Sequence, residues 1–251
     1  MYILLSPAKK MRQQPDLLEC RGLPAFSADA AKLLAALQSM TLPQLQRLWR
    51  CSDALAQRSF ALLQGADVAA ARTPALLAYD GIQYQYLSPL SLPDDAVEYL
   101  QQHLRILSGL YGVLRPLDAV IPYRLEMQAQ LCVGGAPDLY AYWGDRIARS
   151  LCAGAPLIDL ASREYSRSVL PHLPPDVRVI TCTFAQQVDS RLLERATLCK
   201  MARGEMARYL ALNRVQDERE LRGFRELGFA YSPVHSDENH YVFIKGGPSP
   251  C

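Results

Sequence analysis

The chain lacks the paired CxxC spacing of metal and redox sites: its seven cysteines, at positions 20, 51, 132, 152, 182, 199 and 251, are scattered. Their odd number, and the placing of several in apolar runs such as 179–184, point to reduced core thiols rather than a disulfide framework. No apolar run approaches the ~18 residues that cross a bilayer. The place of a leader is taken by the strand-like Tyr2–Ser6, so a cytoplasmic protein with no membrane partner is expected. A charge bias is missing too. The 27 basic and 25 acidic side chains leave a net +2, which neither demands nor forbids a polyanion, because a local basic face can sit on a neutral whole. GxGxxG, GxxxxGKS, HExxH and GxSxG do not occur, which removes the familiar dinucleotide, NTP, zincin and hydrolase motifs. Repeats, low-complexity tracts and linkers are absent. A chain of 251 residues that is 50% hydrophobic buries a full core, so residues 1–251 are expected to form one compact domain, with 246–251 a disordered tail.

What is present alternates between short apolar strands and amphipathic helices, the pattern of a mixed α/β sheet covered by helices. Strands are expected at Tyr2–Leu5, Ala75–Tyr79, Arg105–Ser108, Pro156–Leu160, Val177–Thr183, Ala196–Cys199 and Tyr241–Ile244. Thr41 and Ser52 are candidate N-caps for helices 42–50 and 53–64, and Pro93 starts a helix over 94–103. Further helical patterns run from Asp138 to about Leu151, from Met201 to Val215, and over 217–227.

The segment from His103 to Met127 stands apart. Gly109 and Gly112 permit turns that other residues resist, Pro116 and Pro122 prevent a helix, and Arg105, Arg115, Arg124, Asp118 and Glu126 ride on the irregular path that results. Beside the end of a strand, such a path lies where open α/β sheets place their ligand crevice.

Six ordered blocks make the chain resemble the YaaA family of bacterial peroxide-stress proteins. They are Ser6-Pro7-Ala8-Lys9; Gly81 with Tyr84; Leu104–Met127; Asp138-Leu139-Tyr140 with Trp143-Gly144-Asp145; Leu160-Ala161-Ser162 with Glu164-Tyr165; and Ala202-Arg203-Gly204. The resemblance implies an α/β protein of unusual fold that helps cells withstand hydrogen peroxide, with members linked to limiting free iron and to binding DNA through a basic cleft and a helix-hairpin-helix-like element. Four positions depart from the pattern the resemblance implies: Asp80 for a usually basic residue, Asp159 for asparagine, Gln186-Gln187 for acids, and Met201 for the second lysine of a KKARG block. Two of these changes remove positive charge, so weaker DNA binding is implied for this member.

Phosphate binding needs several cations on one face together with amides or hydroxyls that reach phosphate oxygens. Lys9, Lys10 and Arg12 follow the first strand without an intervening acid, and residues 191–225 hold nine basic against five acidic side chains. Arg208, Arg214, Arg219, Arg222 and Arg225 read as a solvated face. Lys9, Lys200 and Arg203 read as anion ligands at strand junctions. Ser108-Gly109-Leu110-Tyr111-Gly112 reads either as the hairpin of a helix-hairpin-helix or as a strand-to-loop turn, the second fitting the apolar residues before it.

An enzymatic reading uses the same groups: Lys9 and Arg124 as anion clamps, Tyr111 or Tyr123 as stacking surfaces, Ser108 or Ser162 as donors, and Glu164 or Glu126 as general base. Arg124 and Glu126, two apart in an extended segment, also suit a structural ion pair. His235, Asp237, Glu238 and His240 read as a solvated turn, so no metal and no cofactor is expected. The predicted cleft, lined by Lys9, Ser108, Gly109, Tyr111, Gly112, Arg115, Tyr123, Arg124, Ser162, Glu164, Lys200 and Arg203, is expected to take an anion. DNA leads; a small nucleotide-like ligand of a cytosolic enzyme comes second, and contact with another protein third.

Overall fold

The first strand of the chain lies in the middle of its sheet. In the computed structural model, which describes residues 1–151, 154–189 and 191–246, the chain runs β1 (Tyr2–Leu5), α1 (Ser27–Gln38), α2 (Leu42–Trp49), α3 (Asp53–Gln64), β2 (Thr73–Pro74), α4 (Ala75–Ala78), α5 (Ile82–Leu87) and α6 (Asp94–His103). It continues through β3 (Leu104–Ser108), β4 (Gly112–Leu114), β5 (Ala119–Val120), α7 (Leu139–Trp143), α8 (Arg146–Leu151), β6 (Leu157–Asp159) and α9 (Arg163–Ser166). It ends with β7 (Val179–Val188), β8 (Arg191–Leu193), α10 (Ala196–Leu212), β9 (Phe229–Tyr231) and β10 (His240–Lys245).

The main sheet is mixed, in the order β4-β3-β1-β6-β7-β10-β9, with β8 paired to β7. Its centre, β3-β1-β6-β7-β10, is parallel; β4, β8 and β9 are antiparallel additions. Ile3, Leu4 and Leu5 of β1 are buried without the alternation of a half-wet strand, as expected of a parallel strand covered on both faces. From β1 the chain passes to β3 on one side and later places β6 on the other, with Ile3 opposite both Leu104 and Ile158. Such a reversal opens a crevice at the carboxyl ends of the strands. The segments leaving those ends begin at Ser6, Gly109 and Leu160.

Local chemistry explains the helices. Gln44 Oε1 accepts from both Thr41 N (2.8 Å) and Thr41 Oγ1 (2.9 Å), fixing the start of α2, whose Leu45 and Trp49 turn inward one turn apart. On α10, Cys199, Ala202, Met206 and Leu210 form the buried stripe. Gly204, Ala207 and Ala211 leave its backbone bare enough for α5 to press against it. A Cβ on Gly204 would overlap the Gln83 carbonyl.

Two expected strands are helical. Ala75–Tyr79 reads as a strand because its residues are small and apolar, yet Ala75–Ala78 form α4, wholly buried; only Tyr79 bridges an extended neighbour, Met11. Ala196–Cys199 is the first turn of α10, which starts five residues earlier than its basic pattern. The helix expected over 138–151 breaks at Gly144, φ 51°, into α7 and α8. Residues 217–227 form short 3-10 turns instead of one helix. Of the cysteines, Cys182 and Cys199 are buried, while Cys152 and Cys251 fall outside the described residues, as does the expected tail beyond Gly246. Among the described residues no helix is long and apolar enough to cross a membrane.

Candidate functional site

Ser108–Gly112 joins two strands, not two helices: β3 turns directly into antiparallel β4, with Ser108 opposite Gly112. Gly112 takes φ 69°, and a Cβ there would lie 2.9 Å from the Trp143 ring; Trp143 Nε1 in turn donates to Gly109 O at 3.0 Å. A Cβ on Gly109 would strike the Leu125 carbonyl, so the glycine lets the 121–131 segment cross over the end of β3. This crossing carries Arg124 and Glu126 above the crevice.

The turn itself is interior. Ser108 is wholly buried and Tyr111 nearly so; the Tyr111 hydroxyl accepts from Ile121 N at 3.2 Å, so Tyr111 offers no stacking face. Ser108 Oγ lies 2.7 Å from the Tyr123 hydroxyl, which lies 2.8 Å from that of Tyr79, and Tyr111 N donates to Ser108 Oγ at 2.9 Å. Burial pushes the Tyr123 phenol up to about 12 and raises that of Tyr79 as well, so both remain neutral links in this chain. Arg115 is carried away: it follows β4, which runs back along β3, and so lies at the opposite end of the sheet, where its amide donates to Asp118 Oδ2 at 2.8 Å.

The segments from β1 and β6 are stitched together above the sheet. Ser162 N donates to Ser6 Oγ (2.7 Å), Ser6 Oγ donates to Ser162 Oγ (3.2 Å), and Ser6 O accepts from Gln83 Nε2 and Tyr84 OH. Ser162 is therefore a structural tie. Below it Asp159 is buried and accepts from Ser166 Oγ and Ala161 N. Burial raises its carboxyl, with Arg203 opposing the shift.

Around this frame Lys9, Arg124, Glu126 and Glu164 come together. Lys9 Nζ lies 2.7 Å from Glu126 Oε2, and Arg124 lies 3.9 Å from the other carboxylate oxygen. Glu126 thus pairs more closely with Lys9 than with the arginine two residues away. Glu164 Oε1 accepts from Gln128 N at 3.3 Å, and burial pushes its carboxyl up, with the Glu126 charge adding and Lys9 opposing.

Three adjoining hollows surround these groups. One, of about 370 Å³, lies between α2 and the 126–130 segment and is lined by Lys9, Arg47, Trp49, Arg50, Glu126 and Gln128. A second, of about 450 Å³, shares Lys9 and Trp49 and adds Lys10, Tyr123, Arg124 and the leucines of α3. A third, of about 700 Å³, shares Arg50 and Gln128 with the first and is walled by Tyr140, Arg163, Glu164 and Arg167. Among the described residues Arg47, Arg50, Arg163 and Arg167 form no ion pair; Arg167 lies 4.7 Å over the Tyr140 ring. The Nε1 of Trp49 and the Nε of Arg124 are buried without hydrogen-bond partners.

These four arginines escaped the sequence reading, for a physical reason. Arg47 and Arg50 belong to a helix and its left-handed cap, and Arg163 and Arg167 are the first residue and the C-cap of a four-residue helix; only the fold brings Arg50 to the hollow that Arg163 and Arg167 line. The nearest signal in the sequence was Arg163, adjacent to Glu164.

Lys200 and Arg203 do not join them. They are the fifth and eighth residues of α10, past its N-terminal amides, and line none of the three hollows. Arg203 acts electrostatically on Asp159, Cys182 and Cys199. The outer arginines are individually engaged: Arg208 with Ser91 Oγ (2.8 Å), Arg214 with Asp95 (3.3 Å), Arg219 with Asp217 (2.6 Å), and Arg222 with Tyr241 OH (3.1 Å). In the 235–240 turn Asp237 Oδ1 accepts from the amides of Asn239 and His240, while the two histidine rings bond Ser232 and Thr183. Among the described residues no group of three His, Cys, Asp or Glu side chains could hold a metal ion.

Comparison with known proteins agrees over nearly the whole chain. The family model of the peroxide stress protein YaaA matches residues 1–235. Proteins of the UPF0246 group resemble the chain throughout: one from Lactiplantibacillus plantarum is 44% identical over 97% of this chain and 99% of its own length. Others from Pediococcus pentosaceus and Desulfitobacterium hafniense are each 42% identical over 98% of both chains. A match of this extent makes the chain a member of the YaaA family of peroxide stress proteins.

Proposed function

We propose that this protein serves the peroxide stress response in the cytoplasm by binding DNA along the three adjoining hollows, with phosphates held by Lys9, Arg47, Arg50, Arg163 and Arg167. The observation that carries this reading is the contrast in pairing: four arginines line adjoining hollows and, among the described residues, have no carboxylate within ion-pair distance. Leaving guanidinium groups unpaired beside one another is unfavourable by like-charge repulsion, and a polyanion relieves it while releasing its own counterions. In this reading the helix–hairpin–helix element is α2–α3, whose connection is only Arg50, Cys51 and Ser52, and whose hairpin arginine reaches two of the hollows.

The reading is tested by measuring duplex affinity against salt. A logarithmic slope of about −0.9 per phosphate contact is expected, reduced stepwise by Arg50→Ala, Arg163→Ala and Arg167→Ala. Salt-insensitive binding, or a slope unchanged in all three variants, refutes it.

A second reading, a small nucleotide held in the same place, draws on the 450 Å³ hollow, where Trp49, Tyr123 and the α3 leucines surround a space suited to a planar ring beside Lys9 and Arg124. It predicts tight binding of mononucleotides that longer strands do not improve.

A further inference from the structure

Two carboxyl groups at the crevice stand in unlike surroundings. Glu126 is ion-paired with Lys9 and lies within reach of Arg124. Glu164 has no ion-pair partner among the described residues; its Oε1 takes a long hydrogen bond from Gln128 N, and burial favours its protonated form, opposed by the backbone amides of Gln128 and Met127. The hollow that contains Glu126 and the one that contains Glu164 share Arg50, Gln128 and Gln130 in their walls, so the two side chains border adjoining spaces. A carboxylate held by a lysine next to a carboxyl whose burial favours the proton suits the division of labour that hydrolysis of a glycosidic bond requires.

We propose that Glu126 and Glu164 are the general base and general acid of a hydrolysis that cuts the bond between a sugar and its nucleobase. The charge that develops in the reaction selects this bond over the phosphodiester. Breaking a glycosidic bond builds positive charge on the sugar, which neighbouring carboxylates stabilise. Phosphoryl transfer spreads negative charge over the equatorial oxygens, which two carboxylates would repel. The adjoining 450 Å³ hollow, with Trp49, Tyr123 and the α3 leucines, has the lining to receive a base turned out of its stack.

The step balances without any further reactant. Water bonds through its oxygen to the anomeric carbon C1′ while Glu126 takes its proton. The C1′–N bond breaks with its electron pair going to the base, and Glu164 gives its proton to that nitrogen. The products are a free base and a sugar bearing a hydroxyl at C1′. Both carboxyl groups then return to their starting states by exchange with solvent, and nothing is oxidised or reduced.

For the way the substrate is held, this inference rests on the phosphate-binding reading, and one experiment separates the two. Purified protein is incubated with single-stranded and duplex DNA that is intact, treated with hydrogen peroxide, or built with uracil, hypoxanthine or 3-methyladenine, and with the corresponding nucleoside monophosphates. Free base is measured by chromatography and abasic sites by alkaline cleavage. Base release from at least one substrate is expected, with a rate that falls as pH rises and Glu164 loses its proton. Glu164→Gln and Glu126→Gln should each cut the rate by roughly 100-fold or more without lowering the melting temperature or weakening salt-dependent DNA binding. Steep salt-dependent binding with no base released from any substrate overturns the carboxylate proposal alone, as does full activity in Glu164→Gln. Base release from monophosphates without DNA binding overturns the polymer reading and leaves the carboxylate pair standing.

Discussion

Two arginine-rich regions of this molecule have opposite character. In residues 191–225, nine basic side chains against five acids make the most basic stretch of the sequence, yet in the fold Arg208, Arg214, Arg219 and Arg222 each meet a hydroxyl or carboxylate partner. At the crevice, Arg47, Arg50, Arg163 and Arg167 are few and scattered along the chain but line adjoining hollows and, among the described residues, form no ion pair, although Glu126, Asp138 and Glu164 line the same hollows. Basic density along a sequence therefore measures where helices are solvated. The absence of a partner in space is what marks a surface prepared for an anion.

The sharpest way to break this comparison is to strip each region separately. Replacing Arg50, Arg163 and Arg167 together by alanine should weaken duplex binding by at least about a hundredfold at moderate salt, since each hydrogen bond to a charged group contributes roughly 1.5–3 kcal/mol. The matching triple change at Arg214, Arg219 and Arg222 should leave affinity and salt slope as they were. Filter binding or fluorescence anisotropy across a salt series decides, and equal losses in the two variants would abolish the distinction.

Unpaired charge also has a cost where no ligand relieves it, and Asp118 measures that cost. It is buried at the far end of the sheet, forms no ion pair among the described residues, and burial raises its carboxyl to about 6. Folding therefore takes up a proton between pH ~4 and ~6, so stability is greatest below that window and falls as pH rises through it, by about 3 kcal/mol at 1.36 kcal/mol per unit. Asp118→Asn, which can still accept from Arg115 N, should be more stable than the parent by that amount at pH 8 and equal to it near pH 4. Urea unfolding at the two pH values checks the sign.

Within the Ala202-Arg203-Gly204 block the comparison assigns importance to the glycine over the cation. Gly204→Ala forces α10 away from the Gln83 carbonyl and should cost about 1–3 kcal/mol in thermal or denaturant unfolding. Arg203→Ala should not change the salt slope of DNA binding, because Arg203 faces Asp159 and the buried thiols.

The smallest effect is expected at the boundary between the regions. Asp80 pairs with Lys10 at 2.6 Å and with Arg12, withdrawing two of the three cations that follow β1. Asp80→Asn should release them, raising affinity several-fold and steepening the salt slope by up to about 2 units. A slope equal to the parent's would mean that those cations never face the ligand.

Much of the architecture was legible in the sequence. β1, β3, β6, β7 and β10 were all visible, β1 as the unbroken apolar run of a strand covered on both faces and β7 as an alternating one, and α3 and α6 matched their expected bounds to the residue. The errors fell on Ala75–Ala78 and on the start of α10, where short apolar stretches carry no period long enough to separate helix from strand. At the crevice, Lys9, Arg124, Glu164 and Arg203 were expected around one recess; Lys9 and Arg124 meet at Glu126, while Arg203 lines none of the three hollows, and Arg115 was misplaced because β4, three residues long, gave no sign that the chain turns back. Ser108 and Tyr111 were expected at the ligand and instead hold the segment that carries Arg124. A sequence motif does not distinguish residues that touch a ligand from those that aim its contacts.

The central position of β1 bears on how the protein is made. Tyr2–Leu5 are synthesised well before the strands they hydrogen-bond to, which arrive only after about a hundred and a hundred and fifty further residues have been added. Until then an almost wholly apolar strand has neither edge satisfied, and such unpaired edges invite pairing with other chains. Synthesis past Asp159 is thus the earliest moment at which the hydrophobic interior can close, and a cell under oxidative attack has reason to shield the nascent chain until it does.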